Sequence, residues 1–243
     1  MDHTNNSCCC GEAEHFSGCL ICGASITYRA ESSIQTCSIC HKEQLTNAVC
    51  ENGHFICDAC HSYGTYAPVI TTLRDSTEKD ALLLLEKIMD LPSVHMHGPE
   101  HHAIVPCVLL TAFRNNGEHM DYDAALSEIC KRAKQVPGGT CGYWGVCGAA
   151  AGAGIFMSVM TGSSPLYKDA WPFPQKLVSI ILSRLADVGG PRCCKRTSRI
   201  AIEEAVHFYS QFCSVNIPLS SITCKYCEDN RECIQEDCPY YPE

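Results

Sequence analysis

The chain contains 21 cysteines among its 243 residues, and most of them stand in short-spaced pairs. This pattern constrains the fold more than any other feature, because each pair can supply two ligands to one metal ion. The alternative, a disulfide framework, is typical of short secreted chains that begin with a signal peptide. Here the first residues are polar and acidic, and no apolar run reaches the roughly 20 residues of a membrane span. We therefore expect a metal-binding protein of a reducing cytoplasm, in an anaerobe, without a membrane partner.

The net charge of −9 argues against a protein that coats nucleic acid, which would need a basic face. Arg192, Lys195, Arg196 and Arg199 nevertheless form one local basic patch. The sequence identifies no particular small-molecule or protein partner, and it leaves a homodimer open.

Composition divides the chain into a cysteine-rich segment (1–66), a segment with helical periodicity (67–218) and a short acidic segment with four cysteines (219–243). Apolar periodicity and the breaks at Gly, Pro and Asn predict six helices in the middle segment. These are expected between Ser76 and Pro92 and at 101–115, 122–135, 148–160, 174–188 and 196–213. The predicted fold is mainly α: a helical bundle with an N-terminal double zinc-ribbon or treble-clef-like lobe and a C-terminal four-cysteine lobe.

The first segment carries eight metal-ligand side chains, enough for two zinc ions. Two C-x2-C pairs flank a predicted strand at 26–28, and a C-x3-H-x2-C-x2-C set follows them. Each ion could take adjacent ligands, or the pairs could interleave, with the first pair joined by Cys50 and His54. A rubredoxin-like iron in the first site is the functional alternative to two structural zincs. The ligands are Cys19, Cys22, Cys37, Cys40, Cys50, His54, Cys57 and Cys60, and the role of Cys8, Cys9 and Cys10 is left open.

The segment His95–His102 places several ligand-type side chains directly before an apolar helix, since Pro99 suits a helix's first turn. His97, Glu100 and His101 are the candidates to bind a metal or to move protons. Because His101 and His102 point about 100° apart on a helix, only one of them is expected to face a given site. The alternative is that these are ordinary capping or half-buried histidines.

Glycine-rich turns deliver further cysteines to predicted helix starts, where the helix dipole favours a thiolate. We expect Cys141 and Cys147 to share a site with Cys193 or Cys194. Three of these thiolates could hold a [4Fe–4S] cluster whose fourth iron is left for the histidine cluster or a substrate. There are two alternatives: a thiol relay without iron, and simple buried thiols on a tightly packed glycine helix. Tyr143 and Trp144 are expected to wall this pocket.

The last segment holds another four-thiolate set, and a proline follows its final cysteine as in ferredoxin cluster loops. Either zinc or an iron–sulfur cluster could occupy it, with zinc favoured because small four-cysteine lobes most often bind zinc. The ligands are Cys224, Cys227, Cys233 and Cys238.

Four sequence strings, at 50–61, 96–102, 136–152 and 189–196, make the chain resemble an uncharacterised prokaryotic family of anaerobic bacteria and archaea. This is the domain of unknown function DUF5714. The resemblance extends over nearly the whole chain but implies no established reaction. More weakly, the centre is similar to a proposed redox family named for its spaced Cys, Gly-Cys-Ala and Cys-Cys motifs. That likeness places Cys107 near the family's first cysteine and implies an all-helical thiol or metal module.

Together these patterns predict an iron–sulfur or metal-dependent enzyme of redox or sulfur-transfer chemistry. The alternatives are a zinc-stabilised accessory protein that delivers metal or electrons to a partner enzyme, or a nucleic-acid-modification factor.

Overall fold

The computed structural model describes residues 18–243. Cys8, Cys9 and Cys10 lie outside the described residues, so the expectation of a thiol tail stays a prediction. The described chain begins with an antiparallel hairpin, β1 (Ile26–Thr36) and β2 (Glu43–Cys50). The helices that follow are α1 (Asp58–His61), α2 (Tyr66–Asp75), α3 (Ala81–Met89), α4 (His101–Asn115), α5 (Tyr122–Ala133), α6 (Thr140–Tyr143), α7 (Gly148–Thr161), α8 (Pro172–Val188) and α9 (Cys194–Tyr209), with a 3-10 turn at Gln235–Asp237.

The predicted fold class is confirmed: the chain is mainly helical, with one two-stranded sheet among the described residues and cysteine clusters at its N-terminal end. All six predicted helices are present, with small shifts at their ends. Asp80 and Asp121 cap α3 and α5 by accepting hydrogen bonds from amides of the first turn. The division of the chain into three domains, by contrast, stays a prediction.

Helix α2 was not predicted, because its sequence is rich in β-branched residues of low helix propensity. Tertiary packing decides its conformation. Val69 and Leu73 are fully buried in the same apolar core as α3 and α4. Burial of an apolar face, rather than intrinsic propensity, therefore stabilises this helix.

Helix α4 is the centre of the bundle, since every side chain from His101 to Phe113 is buried. It packs against α2, α3, α5, α7 and α9. Pro106 lies inside α4 and has no amide hydrogen, so the carbonyl of His102 lacks its usual intrahelical donor. Gly152 of α7 lies directly against that carbonyl. The close approach of α7 to α4 thus depends on a glycine.

We predict that Gly152→Ala destabilises the protein by about 1–3 kcal/mol, as overpacking of a tight core does. An added Cβ would lie 2.5 Å from the carbonyl oxygen of His102 and 2.9 Å from Cδ of Pro106. Gly142→Ala is the matched control, because no heavy atom lies within 4 Å of its added Cβ. Urea unfolding measures both variants. If Gly152→Ala is as stable as the wild type, α7 does not pack closely against the His102 carbonyl of α4.

The N-terminal lobe, residues 18–61, has little apolar core of its own. Its buried apolar cluster consists of Cys37, Phe55 and Cys57. On its hairpin, Ile34 and Leu45 are paired across the two strands and are more than half exposed. Something other than apolar burial must hold this lobe together.

The C-terminal segment is tied to the bundle by polar contacts as well as by apolar packing. The Asp80 carboxylate accepts a hydrogen bond from the amide of Ser220 at 2.7 Å, besides capping α3. The rings of Tyr226 and Tyr240 lie over the buried guanidinium of Arg199. In the part of the chain that the structure describes, no helix combines the length and apolarity needed to cross a membrane.

Candidate metal and thiol sites

The first N-terminal cluster joins two residues that precede β1 to two at the end of β2 and just after it. Its members are Cys19, Cys22, Cys50 and His54. The sulfurs of Cys22 and Cys50 are 3.9 Å apart, and Nδ1 of His54 lies 3.3–3.8 Å from the three sulfurs. Tetrahedral zinc, with Zn–S bonds of 2.3 Å, places its sulfur ligands about 3.8 Å apart. The cluster therefore has the dimensions of a closed four-ligand site that could hold an ion such as zinc.

The second cluster consists of Cys37, Cys40, Cys57 and Cys60. The sulfurs of Cys40 and Cys57 are 3.8 Å apart, again the edge of a zinc tetrahedron. Backbone amides point at these sulfurs, as the amide of Cys57 does at Sγ of Cys37. The two clusters use alternate pairs along the chain. Of the two pairings that the sequence left open, the structure has the interleaved one.

Two cavities within residues 18–243 are each lined by several cysteines. The larger one, of about 500 Å³, lies in the helical region, where α7 and α9 begin and α8 ends. Cys147 is the N-cap residue of α7 and Cys193 is the N-cap residue of α9. The glycine-rich turns before these helices, among them Gly139 and Gly189 with positive φ, form part of the cavity wall. The cysteines that line the cavity are Cys141, Cys147, Cys193 and Cys194.

The two histidines at the start of α4, His101 and His102, also line this cavity, but they differ in their hydrogen bonds. Nε2 of His101 donates to the carbonyl of His95 at 3.0 Å, and its Nδ1 faces the hydroxyl of Ser198. Nδ1 of His102 donates to the carbonyl of Val136 at 3.0 Å. This bond fixes the tautomer of His102 and leaves Nε2 as a free acceptor. His101 therefore has both nitrogens engaged, whereas His102 has one available.

The helix starts were expected to stabilise thiolates here. Burial, which favours the protonated thiol, outweighs that effect. Desolvation raises the pKa of Cys147, although the amides of Ala149 and Ala150 act in the opposite direction. For Cys194, which is more deeply buried, desolvation raises the pKa to about 12. Without a further positive charge these two thiols stay protonated at neutral pH.

The other residues predicted to face this cavity lie elsewhere. Nε2 of His97 is 3.1 Å from Oδ1 of Asn230 and 3.3 Å from a carboxylate oxygen of Glu232, and burial lowers the pKa of His97 to about 4. Glu100 contacts His61 and His95 instead of the cysteines. His97 and Glu100 are not part of the cavity lining.

The aromatic residues expected to wall the cavity do not line it either. Tyr143 and Trp144 are 52% and 67% exposed. Tyr143 packs against Tyr28 of β1, whose hydroxyl accepts a hydrogen bond from Arg192 at the cavity wall. The hairpin of the N-terminal lobe therefore reaches the rim of the cavity.

The C-terminal cysteines surround a second, much smaller cavity, together with Cys193, Met96 and Arg199. Among the described residues, neither this set nor the cysteines of the larger cavity belongs to a group with three ligand atoms within 4.8 Å. A zinc tetrahedron would need that spacing. The thiolates of an iron–sulfur cluster stand farther apart, because each binds a different iron. The four C-terminal cysteines that line this smaller cavity are Cys224, Cys227, Cys233 and Cys238.

Sequence reasoning missed His61 and His102. His61 directly follows Cys60, and its relation to Glu100 depends on how the N-terminal lobe packs against α4, which no local pattern reveals. For His102, helical geometry predicts only that one of His101 and His102 faces a given site, and the sequence does not decide which one. Cys107, which the weaker likeness places near the redox family's first cysteine, has its sulfur 3.7 Å from that of Cys130 and does not line the cavity.

Comparison with known families adds one finding. The family described as "Family of unknown function (DUF5714)" matches residues 69–241, well over half of the chain. The chain belongs to this family. The DUF5714 match includes the strings at 96–102, 136–152 and 189–196, and with them every cysteine of both cavities. It does not include the string at 50–61, so it is shorter than the resemblance predicted from sequence. No curated protein and no solved structure matches the chain.

Proposed function

We propose that this DUF5714 protein is a cytoplasmic metalloprotein of an anaerobe that carries out redox or sulfur-transfer chemistry in the larger cavity. Cys141, Cys147, Cys193 and Cys194 are the thiols that hold an iron–sulfur cluster or another metal there. The two N-terminal clusters hold zinc and keep the lobe folded. The observation that carries the proposal is the meeting of these four cysteines around one cavity of about 500 Å³.

Two residues of the cavity wall each carry a buried polar atom without a partner. Oγ1 of Thr140 and Nε of Arg196 have no hydrogen-bond partner within residues 18–243, although both residues are 3% exposed. Buried polar groups are normally paired, and an exception calls for an explanation such as a bound ion or ligand. Both residues line the cavity that the four cysteines share.

The electrostatics of the wall favour an anionic group. The positive ends of α7 and α9 are directed at the cavity, since Cys147 and Cys193 are their N-cap residues. Arg192 and Arg196 add two guanidinium groups. A thiolate-bound cluster carries negative charge, and so do many sulfur-containing substrates. Because burial raises the pKa of Cys147, Cys193 and Cys194, binding of the metal would release protons from these thiols.

His102 is the group we assign to proton transfer or to an open coordination position. Its Nδ1 is held by Val136, so the free Nε2 lone pair can accept a proton or bind a metal. The ring edge that carries Nε2 lies against Gly148, directly after Cys147, where an added Cβ would be 2.1 Å from Nε2. His101 instead positions the His95 segment.

Cys193 lines both cavities and thereby connects the central thiols to the C-terminal set. Burial raises the pKa of the Cys193 thiol, and the nearby Cys224 adds to that rise. This arrangement supports an iron–sulfur cluster at the C-terminal site as well, with Cys193 between two metal sites. Electron transfer between them would then need no long protein path.

The test is anaerobic purification and iron–sulfide reconstitution of the full chain, followed by iron, sulfide and zinc analysis and a visible spectrum. We expect brown protein whose bound iron falls sharply in Cys147→Ser. Cys213→Ser is the control, because Cys213 lines neither cavity and should leave iron content unchanged. A wild-type protein that stays colourless and holds zinc alone after reconstitution would refute the cluster.

That colourless outcome would favour a second function, an accessory protein that docks a partner enzyme. One observation supports it: Ile34 and Leu45, paired on the hairpin, are 60% and 62% exposed, and Ile39 in the adjoining turn is 53% exposed. Contiguous exposed apolar side chains often mark protein interaction sites. The net charge of −9 makes a nucleic-acid-modification factor the weakest alternative.

A further inference from the structure

A third group of ligand-type side chains lies between the N-terminal lobe and the bundle. Nδ1 of His61 is 3.3 Å from one carboxylate oxygen of Glu100, and Nδ1 of His95 is 3.0 Å from the other. The three ligand atoms lie within 4.8 Å of one another. None of the cysteines takes part, so this triad is chemically distinct from the other sites.

The dimensions of the triad fit a metal ion. Nitrogen and oxygen ligands bound at about 2.1 Å stand about 3.0–3.4 Å apart around a zinc-type centre. The two nitrogen–oxygen separations, 3.3 Å to Oε2 and 3.0 Å to Oε1, fall within that range. Gly98 leaves the space that the ligands need, because a Cβ there would lie 2.1 Å from Oε2 of Glu100 and 2.5 Å from Cε1 of His61.

The three side chains are held in place by rigid neighbours. His61 ends α1 directly after Cys60, a member of the second N-terminal cluster. The carbonyl of His95 accepts a hydrogen bond from His101 of the buried helix α4. Glu100 is fully buried at the start of that helix and also accepts a hydrogen bond from the amide of His95 at 3.2 Å. A preorganised donor set of this kind loses little entropy on binding a cation.

The carboxylate of Glu100 is fully buried, and each of its two oxygens lies within hydrogen-bond distance of one imidazole nitrogen. A buried carboxylate therefore faces two imidazole nitrogens. The side chains of His61 and His95 are 20% and 27% exposed, which leaves one side of the triad open to water.

We propose that His61, His95 and Glu100 bind a third metal ion, a divalent transition-metal cation such as Zn²⁺ or Fe²⁺, with a coordination position left for water or a substrate oxygen. Two histidines and one carboxylate are the donor set of open, catalytic-type zinc and non-haem iron sites, whereas closed four-ligand sites are structural. The site does not depend on a cluster in the larger cavity. The opposing interpretation is a metal-free hydrogen-bonded triad in which the two imidazoles only neutralise Glu100.

The test titrates Co²⁺ into the purified full chain that retains its thiolate-bound metals. We expect the wild type to bind one additional Co²⁺ with weak visible bands that lack sulfur-to-cobalt charge transfer. Glu100→Gln and His61→Gln should each weaken this binding at least about 10-fold, since even an outer-shell partner of a metal site is worth 10–100-fold. His119→Ala, an exposed histidine elsewhere, should bind as the wild type does.

Metal analysis of the thiolate sites shows whether each variant is folded. If Glu100→Gln does not fold, the result for His61→Gln tests the proposal. The proposal is overturned if the wild type binds no additional Co²⁺, or if both variants keep wild-type stoichiometry and affinity. The triad would then be a hydrogen-bonded contact between the lobe and the bundle. Neither result bears on the iron content that tests the proposed function.

Discussion

Removal of metal from the two N-terminal clusters should unfold the lobe while the helical bundle stays folded. Structural zinc contributes about 10–16 kcal/mol to the folding of small zinc domains at neutral pH. The lobe's own buried apolar cluster, Cys37, Phe55 and Cys57, is too small to replace that contribution, and two of its three members are ligands. We therefore expect the hairpin to lose its structure when a strong chelator removes the ions.

Hydrogen–deuterium exchange with mass spectrometry measures this effect region by region. After verified metal loss, peptides of residues 26–57 should exchange at the rate of an unfolded chain, and peptides of α4 should stay protected. Cys37→Ser, which removes one buried ligand, should give the same pattern without chelator. Protection of the hairpin in protein shown to be metal-free would contradict the prediction.

Glu86→Gln should cost about 3–5 kcal/mol, because breaking one side of a buried ion pair leaves the other charge uncompensated. The guanidinium of Arg199 is fully buried and makes two hydrogen bonds to the carboxylate of Glu86, at 2.7 and 2.9 Å. Since Tyr226 and Tyr240 rest on this guanidinium, the C-terminal segment should loosen as well.

Urea unfolding of Glu86→Gln measures this free energy, with Glu128→Gln as the matched control. Glu128 pairs with Arg132 and Lys131 on the surface of α5, where such pairs contribute at most about 1 kcal/mol. Equal loss of stability in the two variants would show that the buried pair is no more important than a surface one.

The sequence by itself determined the local features of this protein. Helices such as α5 were predicted closely because their apolar residues recur at helical spacing and their ends carry capping residues or glycine. The eight N-terminal ligands were found for the same reason, since a C-x2-C pair binds metal through its own tight turn. Helix α2 was missed because packing of Val69 and Leu73 overrides its weak helix propensity.

Only the tertiary structure decided which distant residues meet. Interleaving of the two N-terminal clusters depends on how the hairpin brings Cys50 and His54 back to Cys19 and Cys22. The separation of Glu100 from the cysteine cavity, and its contact with His61, follow from the packing of the lobe against the start of α4. Residue spacing fixes ligands that lie within one turn of each other. Burial and helix packing determine the partners of side chains that are far apart in the chain, because those partners are chosen by the whole core at once.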